Sequence, residues 1–241
     1  MDKIDNAQVL DYKLAIVNLE QACNWSLQAI KTPEPKLLVT LNPEIVINAQ
    51  KDSELKNALE NASFTVADGI GLTWAAKQYG YSLERVAGVE LVEKILATAK
   101  NNIKVFFLGS KDGVAKQAAQ KTQEKYGTLI AGYHHGYFDK DNAQDIMKII
   151  KASNAELLIA GLGEGQELFL YKNKNELNIP LMIGAGGTLD VLSGTVKRSP
   201  PWTHKLRLEW AYRILSDRKR WHRFPRLVRF VFLVLANKNQ Q

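Results

Sequence analysis

Two short stretches carry the residues best placed to do chemistry. In "TLNPEIVINAQ" (40–50), Thr40, Asn42 and Glu44 follow the apolar run Leu37-Leu38-Val39, and in "FTVADGIG" (64–71), Asp68 ends a second apolar run. A carboxylate in a partly desolvated cleft can take a proton from a hydroxyl, so Asp68 reads as a general base. Spacing alone slightly favours the other reading, a turn residue or the N-cap of a helix starting near Leu72. Glycines end three further apolar runs: Gly109 in "FLGS", Gly161, Gly163 and Gly165 in "IAGLGEGQE", and Gly184, Gly186 and Gly187 in "MIGAGGTLD". Glycine at a strand end lets backbone N–H groups approach phosphate oxygens, and a following helix N-terminus favours negative charge. Tight strand-to-helix turns use the same residue, so the phosphate reading and the turn reading both stand.

Other chemistries lack their signatures. The chain has no complete G-x-G-x-x-G with an acidic residue ~20 positions on, no Walker sequence and no G-x-S-x-G. It also lacks His-Glu-x-x-His and Cys-x-x-Cys. Asp139-x-Asp141 in "YFDKDNAQD" could chelate a divalent cation, but Asp141 with Gln144 also reads as a helix capping box. His134 and His135 in "GYHHGYF" have no metal-ligand spacing and read as loop structure. The single cysteine, Cys23, reads as a packing residue on a helix face.

The elements that must position these groups alternate. Apolar runs at Leu37–Leu41, Phe64–Ala67, Lys104–Leu108, Leu129–Tyr133, Leu157–Ala160 and Pro180–Ile183 are mostly continuous, as in strands buried on both faces of a parallel sheet. Helical patterns lie between them, among them "NLEQACNWSLQAI" with Asn18 as N-cap and "GVELVEKILATAK". The expected fold is therefore α/β: a Rossmann-like, mostly parallel sheet flanked by helices, with a helical C-terminal appendage. Open parallel sheets bind ligands outside the carboxyl ends of their strands, so the polar groups after Val39 and Ala67 should face one crevice.

Charge divides the 241 residues unequally. The net +7 resolves into residues 197–241, with twelve Lys or Arg against Glu209 and Asp217, and residues 1–196, with 20 basic and 23 acidic groups. The expected organisation is an α/β catalytic core at 1–196 and a basic, aromatic-rich helical appendage at 197–241, beginning at the proline break "KRSPPW". Such asymmetry points to an anionic partner for the tail. After Pro225 a short helix is expected, with Leu227, Phe230, Val231 and Val234 on one face. Its apolar run is too short to span a bilayer and long enough to lie in the interface. A membrane surface is the first expectation, a subunit interface in a homo-oligomer the second, and nucleic acid is disfavoured. The N-terminal residues show no secretory-signal pattern, and the composition suits a reducing cytosol.

The motifs "TLNPE", "ADGIGL", "ERVAGVEL", "FLGS", "GYHHGYF", "GLGEGQE", "GAGGTLD", "GTVKRSPPW" and "LEWAYRIL" occur in one order. In that order the chain, from about residue 37 to 229, resembles the bacterial N-acetylmannosaminyltransferase-type glycosyltransferases (WecG/TagA/CpsF family, glycosyltransferase family 26). The resemblance implies transfer, with inversion and without a metal or other cofactor, of an N-acetylmannosamine-type sugar. The donor would be a UDP-sugar and the acceptor a polyprenyl-diphosphate-linked sugar at the cytoplasmic face of the membrane. It implies Asp68 as base with Thr40 beside it, and Asn42, Arg85, Gln166 and Glu167 in substrate binding with Gly109, Gly161, Gly163 and Gly184. Arg213, Arg220 and Arg223 would complete the site near the diphosphates. Two departures mark this sequence: the turn "GLGEGQE" lacks a proline and one residue, and Arg207 stands where Gly commonly precedes "LEW". A non-catalytic nucleotide-binding membrane adaptor is the alternative from another class.

Overall fold

The computed structural model describes residues 4–138, 140–197, 200, 203, 212, 221 and 224–238. Arg213, Arg220, Arg223, Arg207 and Asp139 lie outside the described residues. The chain opens with an antiparallel hairpin that the sequence reading did not anticipate, β1 (Asn6–Val9) and β2 (Tyr12–Ala15). Helix α1 (Leu19–Ile30) follows, closed at its start by the expected Asn18. Gln21 N–H donates to the Asn18 side chain at 2.9 Å, and the Asn18 N–H donates to Gln21 Oε1 at 3.0 Å. This reciprocal pair satisfies two of the donors that a helix start leaves open. Ala22, Cys23, Ser26, Ala29 and Ile30 form the buried stripe of α1, so Cys23 is indeed a packing residue.

Six parallel strands make the sheet: β3 (Lys36–Leu41), β4 (Phe64–Ala67), β5 (Lys104–Gly109), β6 (Leu129–His134), β7 (Leu157–Gly161) and β8 (Leu181–Gly184). Their spatial order is β4-β3-β8-β7-β5-β6. All six apolar runs of the sequence became strands, with ends shifted by at most one residue. The reason is visible in β3, where Leu37, Val39 and Leu41 enter one apolar layer while Leu38 enters the other. Residues that bury both faces can only be strands inside a covered sheet.

One layer over the sheet holds α2 (Pro43–Ala49), α3 (Ser53–Glu60), α4 (Ile70–Gln78), α7 (Lys140–Ala152) and α8 (Gln166–Leu177). The other holds α1, α5 (Gly88–Ala99), α6 (Val114–Tyr126) and the short α9 (Thr188–Leu192). After β7 the chain turns to the first layer through α8; after β5 it turns to the second through α6. The neighbours β5 and β7 therefore part at their carboxyl ends, which is where an open sheet forms its crevice.

The final described helix, α10 (Phe224–Lys238), packs on α2 and α4, with Phe230 and Val234 fully buried in the first layer. It begins at Phe224, so Pro225 sits in the first turn, where its missing N–H costs nothing. The expected single apolar face is split. Phe230 and Val234 enter the core, but Val231 faces outward with Phe224, Val228, Phe232 and Leu235 as a second, exposed stripe. Helix α7 corrects another expectation: it starts at Lys140, so Asp141 lies inside the helix rather than at its N-cap.

Candidate active site at the carboxyl ends of the sheet

Asp68 lies one residue past β4, its backbone N–H donating to the Leu41 carbonyl of β3 at 2.8 Å. Its carboxylate does not cap α4, whose N-cap is Gly69 with no side-chain bond. Instead Asp68 Oδ2 accepts the N–H of Gly88 at 3.3 Å, the first residue of α5. The partial positive charge of a helix N-terminus suits a carboxylate. Thr40 meets the same spot from β3. Its hydroxyl donates to the Gly184 carbonyl of β8 at 3.0 Å, and a Cβ at residue 88 would lie 3.1 Å from that hydroxyl oxygen. Glycine at 88 is what lets α5 come so close.

Arg85 precedes this helix and pairs with Glu90 of its first turn, Nη2 to Oε1, at 3.3 Å. Val86 N–H ties the same loop to the Ala67 carbonyl at 2.9 Å. Asp68, Thr40, Arg85 and Glu90 thus gather at the start of α5. Sequence reasoning passed over Gly88 and Glu90, although both stand in the quoted motif "ERVAGVEL". Asn42 has a structural task as well: its Oδ1 caps α2, accepting from Glu44 N–H at 3.0 Å and Ile45 N–H at 3.1 Å. Only the Nδ2 end of that side chain is left to serve a ligand.

Across β3 and β8 lies the second half of the site. Gly109 and Gly161 end β5 and β7 side by side, and a Cβ on Gly109 would run into the Gly161 backbone. Ser110 N–H donates to the Gly161 carbonyl at 3.0 Å, and Ser110 Oγ donates to Asp190 Oδ1 at 2.9 Å. Neither Ser110 nor Asp190 was singled out from sequence. The signal was present, since both residues stand in the quoted motifs. Gly163 lies in the β7–α8 turn, and Gly165 is the N-cap of α8 at φ 86° with no side-chain cap. Gly113 likewise leaves the start of α6 without one. Two helix starts at the parting strands offer N–H groups and positive dipole ends to an anion.

Gln166 and Glu167 open α8 and are buried, 5% and 2% exposed. Gln166 Nε2 donates to Glu167 Oε1 at 2.7 Å. Burial pushes the Glu167 carboxyl above the usual carboxylate range, and the bonds from Gln166 and from its own backbone N–H only partly oppose this. Both side chains lie over Gly184: a Cβ there would stand 3.1 Å from Glu167 Oε1 and 3.2 Å from Gln166 Nε2. Gln166 Oε1 is buried with no hydrogen-bond partner among the described residues. Such an orphaned acceptor costs about 1–3 kcal/mol unless a ligand or water fills the gap.

Among the described residues, no three His, Cys, Asp or Glu side chains gather to hold a metal ion. His134 is the last residue of β6 rather than loop, and only His135 lies beyond the strand; the His134 ring nitrogen Nδ1 lies 2.8 Å from the His135 carbonyl, and the ring packs edge-on to Phe138. A hollow of about 220 Å³ between α3 and α8, lined by Ser53, Glu54, Asn57, Leu168, Tyr171 and Lys172, contains none of the strand-end groups. It is a surface feature apart from the chemistry.

The fold is that of an open-sheet α/β protein, with its candidate site at the strand carboxyl ends. Comparison with known proteins then gives the family. The chain matches the glycosyl transferase WecG/TagA/CpsF family over residues 7–241. It is 34% identical over 206 residues to an N-acetylglucosaminyldiphosphoundecaprenol N-acetyl-beta-D-mannosaminyltransferase of Staphylococcus aureus strain MW2, covering 84% of this chain and 81% of the relative. The protein of the same name in strain MRSA252 is 33% identical over the same coverage. The chain belongs to this glycosyltransferase family and is a hexosyltransferase, so a non-catalytic adaptor is set aside.

Proposed function

We propose that the protein transfers an N-acetylmannosamine-type sugar from a UDP-sugar to a polyprenyl-diphosphate-linked acceptor sugar, with inversion and without a metal. The observation that carries this reading is the convergence of Asp68 and Thr40 on the start of α5. There a carboxylate at the rim of the sheet can take the proton of an acceptor hydroxyl as it attacks the anomeric carbon. The relatives' name supplies the acceptor class and the sugar. Arg85 and the Gln166 side chain bind substrate, and the backbone at Gly109, Gly161, Gly163 and Gly184 lines the nucleotide at the ends of β5, β7 and β8.

Negative charge builds on the departing UDP and must be offset. The uncapped starts of α6 and α8 provide part of that, and Arg213, Arg220 and Arg223 of the tail the rest, since guanidinium groups bind phosphate bidentately. The exposed stripe Phe224, Val228, Val231, Phe232 and Leu235, flanked by Arg229, supports docking of α10 on the cytoplasmic face of an anionic membrane. Among the described residues no helix is long and apolar enough to cross one.

The decisive test uses Asp68→Asn in the full chain, with a UDP-N-acetylhexosamine donor panel and a short-chain prenyl-diphosphate-GlcNAc acceptor. Wild-type protein releases UDP only when acceptor is present, with a rate unchanged by a chelator, and the variant loses it while keeping its fold. Near-normal transfer by the variant would reject Asp68 as base.

A further inference from the structure

The Gln166–Glu167 pair is built in a way that sheet stability does not require. Two polar side chains lie buried over Gly184, and only one of their contacts is mutual: Gln166 Nε2 to Glu167 Oε1 at 2.7 Å. The other end of the amide, Oε1, is buried and empty-handed among the described residues. An amide group has two ends of equal shape and opposite hydrogen-bonding sense. Fixing the nitrogen on a carboxyl oxygen therefore fixes where the carbonyl points. The pair stands at the carboxyl ends of β7 and β8, and Thr40 reaches the same Gly184 from β3. This ties it to the Asp68 half of the crevice.

We propose that Glu167 is a positioning residue: it grips the amide nitrogen of Gln166 and so presents that amide's carbonyl oxygen to a hydrogen-bond donor on the transferred sugar. The inference rests on the proposed function, and deepens it by naming what Gln166 reads. The two kinds of donor on such a sugar are the acetamido N–H and the ring hydroxyls. Glu167 Oε1 is already taken by Gln166 Nε2, whereas Gln166 Oε1 has no partner among the described residues, so Glu167 acts through Gln166. Burial favours its neutral form, and no cation among the described residues is paired with it; in that form it still accepts from Nε2. Most charged side chains described on elements packed against α8 are paired elsewhere: Glu54 of α3 with Lys172, Lys56 with Asp11 and Glu60, Asp145 of α7 with Lys148, and Lys36 of β3 with Glu34; Lys151 near the end of α7 is exposed, and Arg226 of α10 pairs with Glu164 in the turn before α8. A neutral amide in place of the carboxyl would supply the same acceptor; a methyl group would supply none.

The test measures KM and kcat of the full chain for a UDP-N-acetylhexosamine and for its 2-hydroxyl counterpart, with prenyl-diphosphate-GlcNAc as acceptor. Glu167→Gln is expected within about threefold of wild type, whereas Glu167→Ala raises the donor KM about tenfold or more with a smaller change in kcat. Gly184→Ala keeps Glu167 but crowds the pair from below, and shifts KM the same way. It carries the test if Glu167→Ala does not fold. A rise for the acetylated donor alone assigns the partner as the acetamido N–H; an equal rise for both assigns a hydroxyl they share. Wild-type KM in Glu167→Ala and Gly184→Ala overturns the inference, as does Glu167→Gln failing as badly as Glu167→Ala, which would mean that charge is what matters. Wild-type protein that transfers no UDP-sugar overturns both this inference and the proposed function; active wild type with unaffected variants overturns only the inference.

Discussion

The crevice has two halves that hold carboxyl groups in opposite ways. On the β4 side, Asp68 is half-buried at a strand end and accepts a backbone N–H at the start of α5. On the β7 side, Glu167 is buried beneath the first turn of α8, and its one side-chain partner is an amide. Two groups of the same chemical type thus occupy a wet rim and a dry floor. On the proposed reading, environment more than residue type would divide proton-handling from shape-holding roles.

That contrast can be broken in several places. The largest effect is expected at Asp68: replacement by Asn should lower acceptor-dependent UDP release about 10²–10⁴-fold, the usual worth of a positioned base. Melting and circular dichroism should remain near wild type, because a backbone N–H can still bond to the amide oxygen. Phe230→Ala comes next and concerns α10: it removes a fully buried ring and should cost about 3–5 kcal/mol by urea unfolding. Phe232→Ser, on the opposite stripe at 69% exposure, should leave stability within about 0.5 kcal/mol while weakening binding to anionic liposomes. Thr40→Val deletes one buried hydrogen bond to Gly184 and is expected to cost about 1 kcal/mol.

The smallest effect sharpens the comparison most. A carboxyl whose folded-state pKa is raised holds its proton longer in the native state than in the unfolded chain. Stability then falls as pH rises from the unfolded pKa through the folded one. Glu167→Gln has no proton to lose, so it should gain stability relative to wild type on going from pH 4 to pH 7. Paired melts at both values check the sign. An unchanged difference would mean that the carboxyl is not held neutral by burial.

The sheet was legible because its signal is local. Runs such as Leu157–Ala160 are short and continuous and alternate with helical patterns, which together favour strands buried on both faces. The capping box at Asn18 was legible for the same reason. What sequence concealed depended on distant partners. "NPEIVINAQ" looks like the polar end of a strand, yet Asn42 and Pro43 start α2. Burying Val46 and Ile47 against neighbouring elements, α10 among them, fixes that helix. The hairpin β1–β2 is two four-residue strands, too short for periodicity to announce. Asp68 does follow the end of β4 as the apolar run indicated, but its partner Gly88 lies twenty residues on. The buried placement of Gln166 and Glu167 turns on the absence of a side chain at Gly184, which no spacing reveals. The tail was read as one apolar face because helical periodicity cannot show which of two stripes meets the core. Truncating it would strip Phe230 and Val234 from that core, so single substitutions at Arg213, Arg220 and Arg223 are the cleaner probe of its arginines.

Cys23 has a practical consequence. It is the sole thiol, wholly enclosed between α1 and its neighbours, and burial also pushes its pKa up. A thiol reagent can reach it only when that face of the protein opens, so labelling kinetics would time the breathing of the scaffold from one built-in position. Donor or acceptor added during labelling would then show whether filling the crevice tightens the opposite side of the sheet.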